Sequence, residues 1–189
     1  VLENNYDEFL EFYKARLFVP DEVQPNVGHK IIAEWEKRGY VDGVITQNVD
    51  RLHQKAGSKN VWELHGSLEP VYCHSCGRPG DRDDFLAGHP CRHCGGHLRP
   101  SVVLFGEMLP QKALEAADEI SGRCRTFIVL GSSLVVSPAN YFPQQAKMSG
   151  ANLVIINREP TPLDRMADVV VHEGIGAFLT EVEKYVELP

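Results

Sequence analysis

The chain has 189 residues, 43% of them hydrophobic and 24% charged, which suits one well-buried domain with a small inserted module and excludes wholesale disorder. Charged residues punctuate every apolar run, so no stretch reaches the ~18 uninterrupted apolar residues that a membrane span needs. Nineteen Lys and Arg against 26 Asp and Glu give a net charge of −7, without the basic surplus of a dedicated nucleic-acid binder.

The first twenty residues are acidic and mixed and do not read as a secretory signal, so a cytoplasmic protein is expected. Tyr6, Phe9, Leu10, Tyr13 and Leu17 recur at helical spacing and predict a helix over residues 4–18. Asn26 caps a second helix that turns Val27, Ile31 and Trp35 inward and stops at Gly39. The run from Val41 to Thr46 has the β-branched content of a buried strand, and Val61–Leu64 reads as a short one. The same alternation then recurs. Ser101–Phe105 is expected as a strand with a helix around Pro110–Ile120, and Thr126–Leu130 as a strand with a helix near Pro138–Ser149. Asn152–Ile156 and Asp168–Val171 are expected as two further strands, and a last helix turns Phe178, Leu179, Val182 and Val186 inward.

Apolar strands alternating with helices predict an α/β fold, a doubly wound parallel sheet of Rossmann-like type. We assign it residues 1–70 and 100–189, with part of a helical submodule near 4–24 and a zinc-ribbon module inserted at 71–99. Such sheets bind ligands beyond the carboxyl ends of their strands. Three strand ends here carry polar strings: Thr46-Gln47-Asn48-Val49-Asp50, Gly131-Ser132-Ser133 and Asn157-Arg158-Glu159. Any one of them is an ordinary loop composition; all three at the ligand edge of one sheet point to a polar ligand.

Residues 71–99 break the pattern, being rich in Cys, His, Gly, Arg and Asp and poor in aliphatics. Cys73-x2-Cys76 and Cys91-x2-Cys94 are separated by fourteen residues, 77–90, and each pair ends in glycine. Four thiolates at ~2.3 Å suit one tetrahedral Zn²⁺ with no open position, hence a structural ion. Disulfides, free thiols and an iron–sulfur cluster are the competing readings. His74, His89, His93 and His97 are read as solvated loop residues, and Cys124 as a packed thiol.

His65 follows the short strand, and a lone histidine is more often structural than catalytic. Its neighbours change that balance. The string Thr46-Gln-Asn-Val-Asp-Arg-Leu-His-Gln-Lys-Ala-Gly57 followed by Glu63-Leu-His-Gly66 resembles the sirtuin family of NAD⁺-dependent protein deacylases. The two Cys pairs, Val102-Val-Leu-Phe-Gly-Glu107, Gly131-Ser-Ser-Leu-Val-Val136 and Asn157-Arg-Glu159 follow in family order, so the resemblance covers about Asn26 to Phe178.

The resemblance implies NAD⁺ as cofactor, one structural Zn²⁺ and an acyl-lysine peptide or protein as substrate. It implies His65 as general base, with Asn48 and Asp50 completing the catalytic set at the nicotinamide and its ribose. Gln47 would contact the same ribose, and Gly131, Ser132 and Ser133 the phosphate–ribose portion. Asn157, Arg158 and Glu159 would hold the adenosine ribose, with Ile175 near the adenine. Val103, Phe105, Gly106 and Glu107 on one side, and Leu134 and Val135 on the other, would clamp the peptide as an added strand. In the family reaction the acyl oxygen joins the ribose as an imidate, a histidine takes a ribose hydroxyl proton, and lysine leaves with O-acyl-ADP-ribose and nicotinamide as co-products.

The front of the chain departs from the family. Its Gly-Ala-Gly phosphate loop has no counterpart between Val1 and Gly39, and Val1-Leu2 reads as a strand stub. Because the chain begins at Val1, an upstream segment is expected. The 189-residue polypeptide is expected to bind NAD⁺ poorly for want of those backbone donors, which calorimetry would register as a dissociation constant weaker than micromolar. Alternatives in view are ADP-ribosyl transfer or an inactive sirtuin-like protein, a zinc-ribbon binding module with salt-sensitive affinity, and a dehydrogenase, for which the G-x-G-x-x-G signature is missing.

Overall fold

Two parallel sheets and one antiparallel hairpin carry the fold, described for residues 5–186 of this computed structural model. Strand β1 (Val44–Thr46) pairs in parallel with β2 (Val61–Glu63). Strands β5 (Thr126–Leu130), β6 (Asn152–Ile156) and β7 (Val169–Val171) form the second parallel sheet in that order. Neighbouring residues on a strand face opposite sides, and each side has its own helices. Val44 and Leu130 pack toward α2 (Val27–Lys37) and α7 (Ile175–Val186), around Ile32, Trp35 and Leu179. Ile45, Trp62 and Phe127 pack toward α5 (Gln111–Arg123) and α6 (Tyr141–Met148), around Ala113, Ala117 and Phe142. Helices on both faces of parallel strands make the doubly wound arrangement. Among the described residues no ladder joins β1 to β5; these side-chain clusters and a polar contact at the strand ends connect the sheets. Val1-Leu2, the expected strand stub, lies outside the described residues.

The helix expected at the start is α1 (Tyr6–Glu22), and Phe9, Leu10, Tyr13 and Leu17 are all buried along one face. They pack against Leu68, Val71, Cys73, Phe85, Cys91 and Leu98. Tyr6 adds a ring stack on His97, with centroids 3.8 Å apart, and donates its hydroxyl to the Leu98 carbonyl at 2.8 Å. α1 therefore covers the antiparallel hairpin of β3 (Gly66–Cys73) and β4 (Leu98–Val102), together with α4 (Arg82–Ala87).

Two expectations need correction. Asn26 does cap α2, its side chain accepting from the His29 N–H at 3.1 Å. The inward face, however, runs through Ile32, Ala33 and Trp35, and Val27 stands at the rim beside Gly176, half exposed. The strand expected at Ser101–Phe105 is also displaced. β4 starts at Leu98 and runs antiparallel to β3, with Cys73 opposite Leu98 and Tyr72 opposite Arg99, so it is no part of the parallel sheet. It stops at Val102, because side chains take the next backbone groups and the chain turns at Gly106, where φ is +88°. Phe105 is left fully exposed. Among the described residues no helix is long and apolar enough to cross a membrane.

Candidate functional site

The carboxyl ends of β1, β2 and β5 meet at Gln47. Its side-chain amide donates to the Ser132 hydroxyl at 3.4 Å, and its carbonyl lies 3.2 Å from Nδ1 of His65. A carbonyl only accepts, so His65 holds its proton on Nδ1 and presents Nε2 with a free lone pair. The strands dictate this meeting. Leu64 N–H donates to the Thr46 carbonyl at 2.9 Å, which sets His65 beside Gln47, and the Thr46 hydroxyl accepts from Asn48 N–H at 3.0 Å, which turns the chain outward. Asn48 is exposed, and Asp50 holds one carboxylate oxygen on the Leu52 N–H at 3.0 Å, starting α3 (Leu52–Ala56). Arg51 between them adopts φ 58°, a strained setting for a residue with a side chain. Near Asp50 the rings of His29 and His53 lie 4.6 Å apart; burial lowers both, and together with its neighbour pushes His53 down to about 4, so the His53 ring is neutral at physiological pH.

On the second sheet the three polar residues after β5 turn sharply. Gly131 adopts φ +62° and lies against Ile175: a Cβ there would stand 2.8 Å from Ile175 Cδ1. The Ser132 hydroxyl accepts from the Leu134 N–H at 3.3 Å, and Ser133 is exposed. After β6 the Asn157 amide donates to the Glu159 carbonyl at 2.7 Å, closing that loop, while Arg158 reaches toward Gly174 at the start of α7. Pairwise contacts thus link Ser132 to Gln47, Gly131 to Ile175 and Arg158 to Gly174 at the strand ends.

The residues expected to clamp a peptide divide by exposure. Phe105 and Val135 project into solvent, and Val103 N–H donates to the His65 carbonyl at 2.9 Å, so that segment is anchored beside the imidazole. Leu134 differs: its side chain is buried with Val129, Leu153 and Ile155 at φ 56°, leaving its backbone for any partner. Glu107 turns its carboxylate to Arg99 and to the Leu104 N–H. Arg99, a buried charge on β4, belongs to none of the strings that mark the site in the sequence.

The four expected metal ligands come together. The sulfurs of Cys73, Cys76, Cys91 and Cys94 all lie within 4.8 Å of one another, with 3.5 Å between Cys73 and Cys94 and 3.8 Å between Cys76 and Cys91. A tetrahedron with ~2.3 Å metal–sulfur bonds has edges of roughly 3.8 Å, so these positions fit Zn²⁺. Burial raises the Cys73 thiol, but the Cys76 and Ser75 N–H groups and the Cys94 side chain outweigh it and bring it to about 7. Gly96 N–H lowers Cys94, yet the neighbouring sulfurs push it up to about 12. Four thiolates cannot share this space without a cation. The cluster stands on the far end of the hairpin from His65, and four sulfurs fill the coordination shell.

A Sir2 family profile matches residues 1–138 of the chain. The chain is 48% identical over 182 residues to an NAD-dependent protein deacetylase of Oceanobacillus iheyensis, spanning 96% of this chain and 77% of that protein. It is 50% identical over 184 residues to NAD-dependent protein deacetylase 1 of Geobacillus kaustophilus, spanning 97% and 76%. Among solved structures it resembles Sir2 in complex with the inhibitor EX-527, 2′-O-acetyl-ADP-ribose and deacetylated p53 peptide, with TM-score 0.92 and 40% identity, covering 100% of this chain and 83% of that one.

Proposed function

The chain belongs to the Sir2 family as an NAD⁺-dependent protein deacetylase, and on that premise we propose that His65 is its general base, oriented by Gln47. The contact that carries this reading is Gln47 itself, whose carbonyl fixes the His65 tautomer while its amide reaches Ser132 on the other sheet. NAD⁺ would supply an electrophilic ribosyl carbon for the acyl oxygen of acetyl-lysine, with nicotinamide as its leaving group. His65 Nε2 accepts a hydroxyl proton, and Asn48, Asp50 and Gln47 orient the sugar and carboxamide around it. Gly131, Ser132, Ser133, Asn157, Arg158, Glu159 and Ile175 hold the rest of the dinucleotide. The acetyl-lysine peptide lies between Val103, Phe105, Gly106 and Glu107 on one side and Leu134 and Val135 on the other. Phe105 and Val103 shield the reacting carbon from water.

Cys73, Cys76, Cys91 and Cys94 hold a structural Zn²⁺ in a module at 71–99, set into the Rossmann-like part at 1–70 and 100–189. Its saturated sulfur shell keeps the ion out of the chemistry. The need for reduced thiols favours the cytoplasm as its compartment.

The test is an acetyl-lysine peptide incubated with the protein, with and without NAD⁺, and followed by mass. Loss of the acetyl mass only with NAD⁺, alongside equimolar nicotinamide, supports the reading; loss without NAD⁺ overturns it. A second variant reports on the cofactor mouth. Gly131→Ala places a Cβ at φ +62° and 2.8 Å from Ile175 Cδ1. It is expected to cost ~1–2 kcal/mol of stability in thermal denaturation and to weaken NAD⁺ binding in calorimetry, with the peptide KM little changed.

A further inference from the structure

We infer that Arg99 and Glu107 are positioning residues that pre-shape the peptide-accepting edge at residues 102–106; this rests on the deacetylase reading above and deepens it. Arg99 is only 1% exposed, on β4 opposite Tyr72, whose ring centroid lies 5.3 Å from its guanidinium carbon. Its two terminal nitrogens donate to the two Glu107 carboxylate oxygens, Nη2 to Oε2 at 2.9 Å. Nη2 also donates to the Val102 carbonyl at 2.6 Å. Glu107 Oε2 in turn accepts from the Leu104 N–H at 2.8 Å.

These contacts fall on alternate residues. Between them, Val103 N–H points the other way and donates to the His65 carbonyl at 2.9 Å. Three successive backbone groups are thereby fixed from both sides, two by the ion pair and one by the strand end that carries the imidazole. The chain then turns, with Glu107 N–H donating to the Leu104 carbonyl at 3.0 Å and Gly106 at φ +88°. A β-branched or aliphatic pair could fill the Arg99 position at less desolvation cost, but it could not hold a carbonyl and an N–H two residues apart.

A peptide that binds by strand addition gains its affinity from main-chain hydrogen bonds, and it binds tighter when the receiving edge is ordered beforehand. The ion pair already holds the Val102 carbonyl and the Leu104 N–H, and the His65 carbonyl holds the Val103 N–H, so a peptide meets a backbone that is fixed before it arrives. Glu107 is 36% exposed. Its loss leaves the Leu104 N–H within reach of water, so the loop loosens without collapse of the core. The Arg99 guanidinium also holds the Glu107 carboxyl below the usual carboxylate range, in keeping with an ion pair that persists at neutral pH.

The test compares wild type with Glu107→Ala, Glu107→Gln and Arg99→Lys in the full chain. Glu107→Ala is expected to raise the acetyl-peptide KM roughly tenfold or more, with kcat within about threefold and NAD⁺ affinity by calorimetry unchanged. Amide hydrogen exchange at Leu104 should quicken about tenfold in Glu107→Ala. Glu107→Gln keeps an acceptor for Leu104 and Arg99→Lys keeps the charge, so both should fall between wild type and Glu107→Ala. A peptide KM within about twofold of wild type, or unaltered Leu104 exchange, overturns the inference. So does a parallel loss of NAD⁺ and peptide affinity in Glu107→Gln, which would mark a general structural role. A wild-type protein that releases no nicotinamide with acetyl peptide sinks the deacetylase reading instead, whereas an active wild type beside an indifferent Glu107→Ala sinks this inference alone.

Discussion

His65→Asn is expected to lower kcat for acetyl-lysine removal by ~10²–10⁴-fold, the range that general-base catalysis typically supplies. At about 1.36 kcal/mol per tenfold, this is roughly 3–5 kcal/mol of transition-state stabilisation. Asparagine is chosen because its side-chain amide can occupy the position of Nδ1 and still donate to the Gln47 carbonyl, now 3.2 Å from that nitrogen. What it removes is Nε2 and its lone pair. The substitution therefore separates two roles of the imidazole, holding the strand ends together and taking a proton. If the proton-taking role is the one that matters, His65→Asn and His65→Gln lose kcat equally. NAD⁺ and peptide binding then stay close to wild type, and the melting temperature moves by only a few degrees. Steady-state kinetics with an acetyl peptide, beside calorimetric titration of NAD⁺, give both readings. A His65→Asn protein with more than a tenth of wild-type kcat removes His65 from the mechanism.

The strand ends show how far the sequence alone reaches. Thr126–Leu130 and Asn152–Ile156 form strands over the expected residues, because four consecutive apolar residues in each, bounded by polar strings, have one local solution in a parallel sheet covered by helices. The same logic brings Gln47 into contact with both His65 and Ser132: each follows a strand, and parallel strands end on one side. Cys spacing reports the metal tetrad because it is a local geometric demand. Arg99 shows where this fails. A single arginine between Leu98 and Pro100 carries no period, and its partner lies eight residues on, across a turn that only the hairpin register creates. Phe105 misleads for the related reason that its apolar side chain suggests a strand interior, yet it is fully exposed. Leu134 misleads in reverse, its side chain entering the core from a left-handed backbone that no propensity favours. Side chains that serve a partner, and contacts made by tertiary pairing, leave no periodic trace.

Removal of the metal tests whether the tetrad braces the fold or joins the chemistry. Cys73 and Cys91 are buried in the same cluster as Phe9, Leu17, Phe85 and Leu98, so the ion would sit at the edge of a hydrophobic core, not in a solvent cleft. Between the two Cys pairs the hairpin has little core of its own: β3 and β4 pair with an irregularity between Gly66 and Val71, and much of 74–97 is exposed. Zinc binding by four cysteines is typically worth ~10–16 kcal/mol in small domains, which matches or exceeds the ~5–15 kcal/mol that stabilises a whole protein. Cys76→Ser, at an exposed ligand, is therefore expected to cost ~4 kcal/mol or more. In a chain of this length that lowers the melting temperature by roughly 10 °C. Chelation should do the same to the wild type, with loss of α1 packing seen as altered near-ultraviolet dichroism from Tyr6 and Tyr13. Cobalt should restore both fold and deacetylation, with the charge-transfer absorption of a sulfur tetrad. The sign of the coupling is informative. If the ion only braces the hairpin, activity and near-ultraviolet dichroism disappear together at one chelator concentration and return together. A chelated protein that keeps its dichroism and melting temperature yet loses acetyl removal would place the metal in the reaction, against a coordination shell in which sulfur occupies every position.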